Sequence, residues 1–257
     1  MPRAKNPDVA IRANDLSLAR GDVRVLDGVS FTLAHGATLT VMGPTGAGKS
    51  SLAAMLAGRG GAGLTVAGGE ALVEGIPVKH PGRALRTLTY IAGYLPQGAG
   101  SDLPARMTVS DVIGEPITSR DRRVNPRALA VRVATLLDEM QLPLGAAPKY
   151  PYELSAGMRQ RVAMARALVL DPRVLVADDL YANLDIEVRE AVRAAIVRRR
   201  TAYGMSAFIV TNDPDAAREL ESDVLVLRAG HTVAYGADAA TLAWTPDEAN
   251  DHRAVIR

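Results

Sequence analysis

Apolar and polar positions along the chain divide it into stretches of different period. Apolar residues spaced for extended backbone over Ile11–Leu18 and Val29–Leu33 predict two strands of a β-hairpin lobe, turning near Arg20-Gly21-Asp22. Ala37–Met42 reads as a strand and Lys49–Ala57 as a helix, with a glycine-rich connection between them. Residues 58–69 read as a Gly-rich linker, Glu70–Val78 as extended, and Leu88–Leu95 as an apolar segment ending at Gln97. From Thr108 to Ala147 the spacing becomes helical, through Val109, Val112, Ile113, Leu129, Val133, Leu136, Leu137 and Met140. Beyond it, strands at Val174–Ala177, Ala207–Thr211 and Val224–Leu227 alternate with helices at Glu187–Arg200 and Asp215–Leu220. That alternation predicts a parallel sheet flanked by helices.

With 257 residues, 48% hydrophobic and 23% charged, the chain has globular composition and excludes disorder over most of its length. Thirty Lys and Arg against 28 Asp and Glu leave +2, too small an excess to argue for a nucleic-acid-coating surface. The absence of cysteine removes disulfides, thiolate metal sites and cysteine nucleophiles together. Residues 1–13 lack the apolar run of a secretory signal, and Gly, Asp or Arg interrupts every apolar run before it reaches membrane-spanning length, so a cytoplasmic location is expected. His35, His80, His231 and His252 show no ligand spacing, Trp244 reads as a packing anchor, and Arg198-Arg199-Arg200 as a solvated basic helix end.

Chemistry concentrates at Gly43-Pro44-Thr45-Gly46-Ala47-Gly48-Lys49-Ser50, which fits the phosphate-binding pattern G-x-x-x-x-G-K-[ST] between a predicted strand and a predicted helix. Phosphate oxygens need converging N–H donors, and glycines at positive φ let the backbone supply them at a helix N-terminus. The bland alternative is a structural glycine turn. In the nucleotide reading Lys49 reaches the β- and γ-phosphates, Ser50 offers its hydroxyl to Mg²⁺, and Ser51 continues the cradle. Val174–Asp179 is an apolar strand ending in two carboxylates, a feature common by itself; beside a phosphate loop, Asp178 becomes the Mg²⁺-supporting candidate and Asp179 the base that would polarise water.

A resemblance becomes specific at Leu154-Ser155-Ala156-Gly157-Met158-Arg159-Gln160-Arg161, which is similar to the signature motif of ABC-transporter ATPases. It covers nearly the whole chain and implies Gln97 as the Q-loop residue and metal ligand, Asn183-Leu184-Asp185 as the D-loop, and Asn212 at the position of the switch histidine. The implied fold is α/β: a P-loop NTPase with a RecA-like parallel-sheet core, an N-terminal antiparallel β lobe and a helical signature subdomain. One domain is expected over residues 1–257, with core and lobe at about 10–97 and 169–240, helical subdomain at 98–168 and a polar tail at 241–257. The family implies ATP and Mg²⁺, head-to-tail pairing with a second ATP-binding subunit, membrane permease subunits, an indirectly engaged extracytoplasmic solute-binding protein, no nucleic acid, and a peripheral place on the cytoplasmic face of the membrane. Ser155 and Gly157 would then serve the partner's ATP. Ala105–Val109 and Tyr150–Leu154 look most like ATPase subunits of peptide and nickel importers.

Four positions depart from the family pattern. Asp179 stands where Glu is usual, one methylene short, and misplacement of a catalytic group on that scale can cost ~10²-fold in rate. Asn212 replaces the histidine and cannot carry its charge. Ala156 replaces the first signature glycine, and Arg20 falls where an aromatic is expected to stack on adenine, although a solvated turn arginine is the plainer reading. Both catalytic departures belong to the chain's own site while its signature keeps Ser155 and Gly157. That asymmetry suggests a slow site lending its signature to a more active partner. The alternatives are a symmetric homodimer with a tuned rate, a clamp that holds ATP without hydrolysing it, and a soluble ABC protein of repair or translation. Against the last stand the single P-loop and a Ser50-to-Ser155 span too short for a long coiled coil.

Overall fold

The computed structural model describes residues 8–61, 63–182, 184–236 and 243–244. Strands β1 (Val9–Arg20) and β2 (Val23–Ala34) form a hairpin that pairs with β4 (Leu64–Val73) and the short β5 (Ile76–Pro77) in an antiparallel sheet of order β2-β1-β4-β5. The second sheet centres on five parallel strands, β9 (Asp223–Arg228), β3 (Thr38–Met42), β8 (Ser206–Val210), β7 (Val174–Asp178) and β6 (Ala92–Leu95), in that order. Antiparallel β10 (His231–Gly236) and β11 (Ala243–Trp244) extend its β9 edge. This is the α/β architecture that the alternating pattern predicts, with the antiparallel lobe beside it.

The parallel strands are apolar on both faces because each face is covered. Val174, Val176, Phe208 and Val210 join the core under the lobe and α1 (Lys49–Leu56), while Leu175, Ala177, Ala207 and Ile209 join the core formed with the helices α3 (Val109–Thr118), α4 (Pro126–Glu139), α5 (Ala156–Leu168) and α6 (Ile186–Tyr203). Phe31 of the lobe meets Phe208 of the sheet with ring centroids 5.8 Å apart. Helix starts follow local chemistry: Thr108 and Asp111 form a reciprocal capping box at α3, and Asn125 caps α4 ahead of Pro126. No helix among the described residues is long and apolar enough to cross a membrane.

Several expectations needed correction. The hairpin strands are longer than the apolar spacing indicates, and the Gly-rich linker ends at Leu64, where β4 begins; Gly68 and Gly69 lie inside that strand. Gly69 sits at φ +62°, with space for a Cβ only 2.0 Å from the Asp15 carbonyl oxygen, so these glycines allow a close strand crossing at a register shift. The apolar segment Leu88–Leu95 divides between two elements: α2 (Leu85–Ile91) gives way to β6 at Ala92, whose backbone turns extended.

The arginine run is no solvated helix end either. Arg199 is 6% exposed; its guanidinium holds both Glu139 carboxylate oxygens at 2.8 and 2.7 Å and Asp171 at 3.1 Å. Arg200 donates to the Gly36 carbonyl at 3.0 Å and to the Leu220 carbonyl at 2.7 Å, leaving Arg198 as the most exposed of the three. His35 lies 3.2 Å from Glu74, and no metal-binding group of His, Asp and Glu forms among the described residues. The polar tail beyond Trp244, His252, Asn183 and the packing of the Trp244 side chain lie outside the described residues.

Burial opposes ionisation of Glu139, but hydrogen bonds and charge from Arg199, with Arg198 assisting, win and hold its carboxyl below the ordinary value of 4.5. The pair therefore stabilises the fold above that ordinary value, and the contribution is lost as pH falls through the depressed folded value. Glu139→Gln is expected to cost about 3 kcal/mol at pH 7, because it strands a buried guanidinium, and progressively less in acid. Urea denaturation across pH checks this; a cost independent of pH would assign the effect to packing.

Candidate functional site

The connection from β3 to α1 carries the phosphate loop. Gly43 has φ +138°, and a Cβ there would stand 2.0 Å from the Leu227 carbonyl oxygen; Gly48, at φ +94°, would place one 2.5 Å from the Val25 carbonyl oxygen. Only glycine fits either position, and the chain turns between them so that α1 starts at Lys49 with no side-chain cap. The uncapped first-turn N–H groups and the helix dipole face the mouth of the loop, where an anion would satisfy them. Lys49 Nζ donates to the Gly43 and Pro44 carbonyls at 2.6 and 2.9 Å, which holds the ammonium across the loop.

A cleft of about 530 Å³ opens there, lined by Thr45, Gly46, Gly48, Lys49, Ser50 and Ser51 from the loop and α1, and by Gln97, Asp178, Asp179 and Asn212 from three strand ends. Its position past the C-terminal ends of parallel strands is where open α/β sheets bind ligands. Asp178, 4% exposed, has the Ser50 hydroxyl beside it. Burial pushes its carboxyl up and the neighbouring Asp179 adds to this, against the Ser50 hydroxyl and the Lys49 charge. Burial lowers the Lys49 ammonium in turn, and Asp178 opposes that.

Asp179 has φ +62°, a left-handed conformation that Asp tolerates better than longer side chains, and its N–H donates to the Val210 carbonyl at 2.9 Å. Asn212 Oδ1 accepts the Gly43 N–H at 3.2 Å, so the segment after β8 is tied to the phosphate loop. The structure thus brings Lys49, Ser50, Gln97, Asp178, Asp179 and Asn212 to one cavity. It does not bring Arg20 there: that residue is exposed at the hairpin end, and Val25 on β2 lines the cleft instead. Ser155 and Gly157 also stand apart from it. Ser155 caps α5 by accepting the Met158 N–H at 3.2 Å and is exposed. Val25 and Asp213 are cleft residues that the sequence motifs do not mark; the alternation of β2 was the signal for the first, and adjacency to Asn212 for the second.

The donor set fits a nucleotide with a divalent ion: a backbone cradle and an ammonium for phosphate, and a hydroxyl, an amide and a buried carboxylate as hard oxygen ligands. Fold and loop together define a P-loop nucleotide-binding domain. A family model described as ABC transporter matches residues 26–182, and the chain belongs to that family. Among curated relatives, the sulfate/thiosulfate import ATP-binding protein CysA of Burkholderia mallei is 31% identical over 90% of this chain and 64% of its own length. The oligopeptide transport ATP-binding protein OppD of Mycobacterium tuberculosis is 32% identical over 86% of this chain and 35% of its own. The Nod factor export ATP-binding protein I of Rhizobium meliloti is 34% identical over 92% of this chain and 66% of its own. The chain spans between about one third and two thirds of these relatives. Importers and an exporter match at nearly equal identity, so a peptide or nickel subgroup does not separate from the rest. Among solved structures, the dimeric ATP-binding cassette MJ0796 bound to ADP and Pi superimposes with TM-score 0.80 at 22% identity, covering 88% of this chain and 97% of that one, a likeness of fold.

Lys49→Ala removes the one ammonium that crosses the phosphate loop. MgATP affinity should fall at least ~10²-fold by isothermal titration calorimetry, on the order of two charge-assisted hydrogen bonds. Unchanged affinity would remove the phosphate role from this loop.

Proposed function

We propose that this chain binds and hydrolyses ATP at the β3–α1 cleft and couples the cycle to solute transport by a separate membrane permease, with the chain on the cytoplasmic face of the membrane. The carrying observation is the convergence of Lys49, Ser50, Gln97, Asp178, Asp179 and Asn212 on one cavity at the C-terminal end of the parallel sheet. In this reading Gly43–Ser51 hold the phosphates, and Ser50, Gln97 and Asp178 hold Mg²⁺. The ion, when bound, supplies charge that draws electrons from the γ-phosphoryl group. Asp179 orients the attacking water and accepts its proton, and the N–H donors of the Asn212 amide stabilise charge on the phosphate oxygens. An importer of peptides, nickel or a similar small solute, served by an extracytoplasmic binding protein, is the finer reading. It rests on Ala105–Val109 and Tyr150–Leu154 and on the oligopeptide transport protein among the relatives.

Ser155 and Gly157 lie outside the cleft, at an exposed helix start, as expected of groups that serve a second subunit's nucleotide. Asp179 and Asn212 weaken the chain's own site while the signature keeps Ser155 and Gly157, which favours a slow site paired with a more active one. The clamp reading, ATP held without turnover, draws on the same two residues. The left-handed backbone at Asp179 adds a local reason for the shorter acid: Glu there costs up to ~1 kcal/mol more.

Asp179→Glu with Asn212→His should raise ATP turnover at this site at least ~10-fold, since the longer carboxylate reaches the water and an imidazolium stabilises the γ-phosphate. A phosphate-release assay decides; a double variant no faster than its parent rejects the slow site. Ser155→Arg should leave MgATP binding by the isolated chain intact yet abolish hydrolysis at the opposite site of the assembled pair. Loss of neither activity would reduce Ser155 to a helix cap, and loss of both would mean a folding defect or a site contained in one chain.

A further inference from the structure

Two segments bring candidate catalytic groups to the cleft, one that follows β7 and begins at Asp179 and one after β8 at residues 211–213. One side chain outside the cleft touches both. Arg189, in the first turns of α6, pairs with Asp213 Oδ2 through its terminal nitrogen at 2.9 Å and donates from Nε to the Leu184 carbonyl at 3.4 Å. Its guanidinium also lies over the ring of Tyr181, 5.5 Å from the centroid. Tyr181 is 5% exposed and its hydroxyl has no hydrogen-bond partner among the described residues, so packing and the guanidinium hold the ring. The other oxygen of Asp213 accepts the Asp215 N–H at 3.0 Å and caps α7 (Pro214–Glu219). Asn212, one residue earlier, is bonded to Gly43. The contacts run without a break from the phosphate loop through Asn212, Asp213 and Arg189 to Leu184 and Tyr181.

We propose that Arg189 is a positioning residue, locking the segment that carries Asp179 to the segment that carries Asn212 so that both groups hold their places at the nucleotide. The ion pair itself is too exposed for a large effect on stability: the Arg189 and Asp213 side chains are 39% and 31% exposed, and such pairs contribute only ~0.2–1 kcal/mol. Geometry is the larger lever, because a shift of ~1 Å in a catalytic group can cost ~10²-fold in rate. The planar fork matters as well. Two of its nitrogens serve partners on two different segments while its face meets the tyrosine, which an ammonium cannot reproduce.

The turnover arm of the test rests on the proposed ATPase reading; the exchange arm does not. Hydrogen exchange is followed in peptides covering 179–185 and 211–215 for the parent, Arg189→Ala, Arg189→Lys and the control Arg166→Ala. Arg189→Ala should raise exchange in both segments together, at least ~5-fold, with β3 unchanged. MgATP affinity should stay within about threefold while turnover falls at least ~10-fold, and Arg189→Lys should recover only part of each effect. Arg166→Ala, which loses an exposed pair with Glu115 between α5 and α3, should change neither segment. Unchanged exchange in both segments, a change in only one, or full rescue by lysine overturns the proposal. If Arg189→Ala loosens β3 as well, the lysine variant decides through the same two segments. A parent that binds no MgATP would count against the nucleotide reading and leave the exchange result to stand or fall by itself.

Discussion

Everything at the nucleotide cleft depends on backbone meeting backbone behind the phosphate loop. Gly43 presses against the Leu227 carbonyl of β9, and Gly48 against the Val25 carbonyl of β2, both at separations where only hydrogen fits. The loop is therefore wedged between the central sheet and the antiparallel lobe. The Asp27 N–H donates to the Gly230 carbonyl at 2.8 Å, which ties the lobe to the β9–β10 turn beside the same contact. A lobe that slid along the sheet would carry Val25 out of the cleft and open the loop from behind, so the site's shape is a property of how two sheets meet.

The electrostatics of the cleft follow from that packing. Asp178 is buried within reach of a second carboxylate, a hydroxyl and an ammonium, and the balance leaves its carboxyl above the ordinary range. Two acids close together at the end of an apolar strand oppose folding unless positive charge meets them, and Lys49 supplies one unit of it. The site thus holds excess negative potential aimed at a cation, beside N–H groups aimed at an anion, and a metal-complexed phosphate answers both.

Much of this was legible in the residues. The phosphate loop declares itself by spacing, and the apolar strands ending in Asp178 and before Asn212 point at the same end of the sheet because parallel strands share a direction. What escaped notice depends on contacts distant in sequence. Arg199 reads as one more cation on a helix end until Glu139 and Asp171 are brought to it. The switch from α2 to β6 at Ala92 falls within an apolar run whose composition suits either state. The glycines of β4 read as a linker, because the strand crossing they permit is visible only with Asp15 in place. Arg20, by contrast, is exposed at the hairpin turn and away from the cleft, as the plainer reading of a turn arginine has it.

The parallel sheet works as a party wall. On β7 the odd-numbered residues 175 and 177 belong to the helical side and the even-numbered 174 and 176 to the side of the lobe and α1. Neighbouring residues on one strand consequently answer to different tenants. A helical half can be repacked over generations by exchanging alternate residues only. The set in between, which steadies the phosphate loop, can stay untouched throughout.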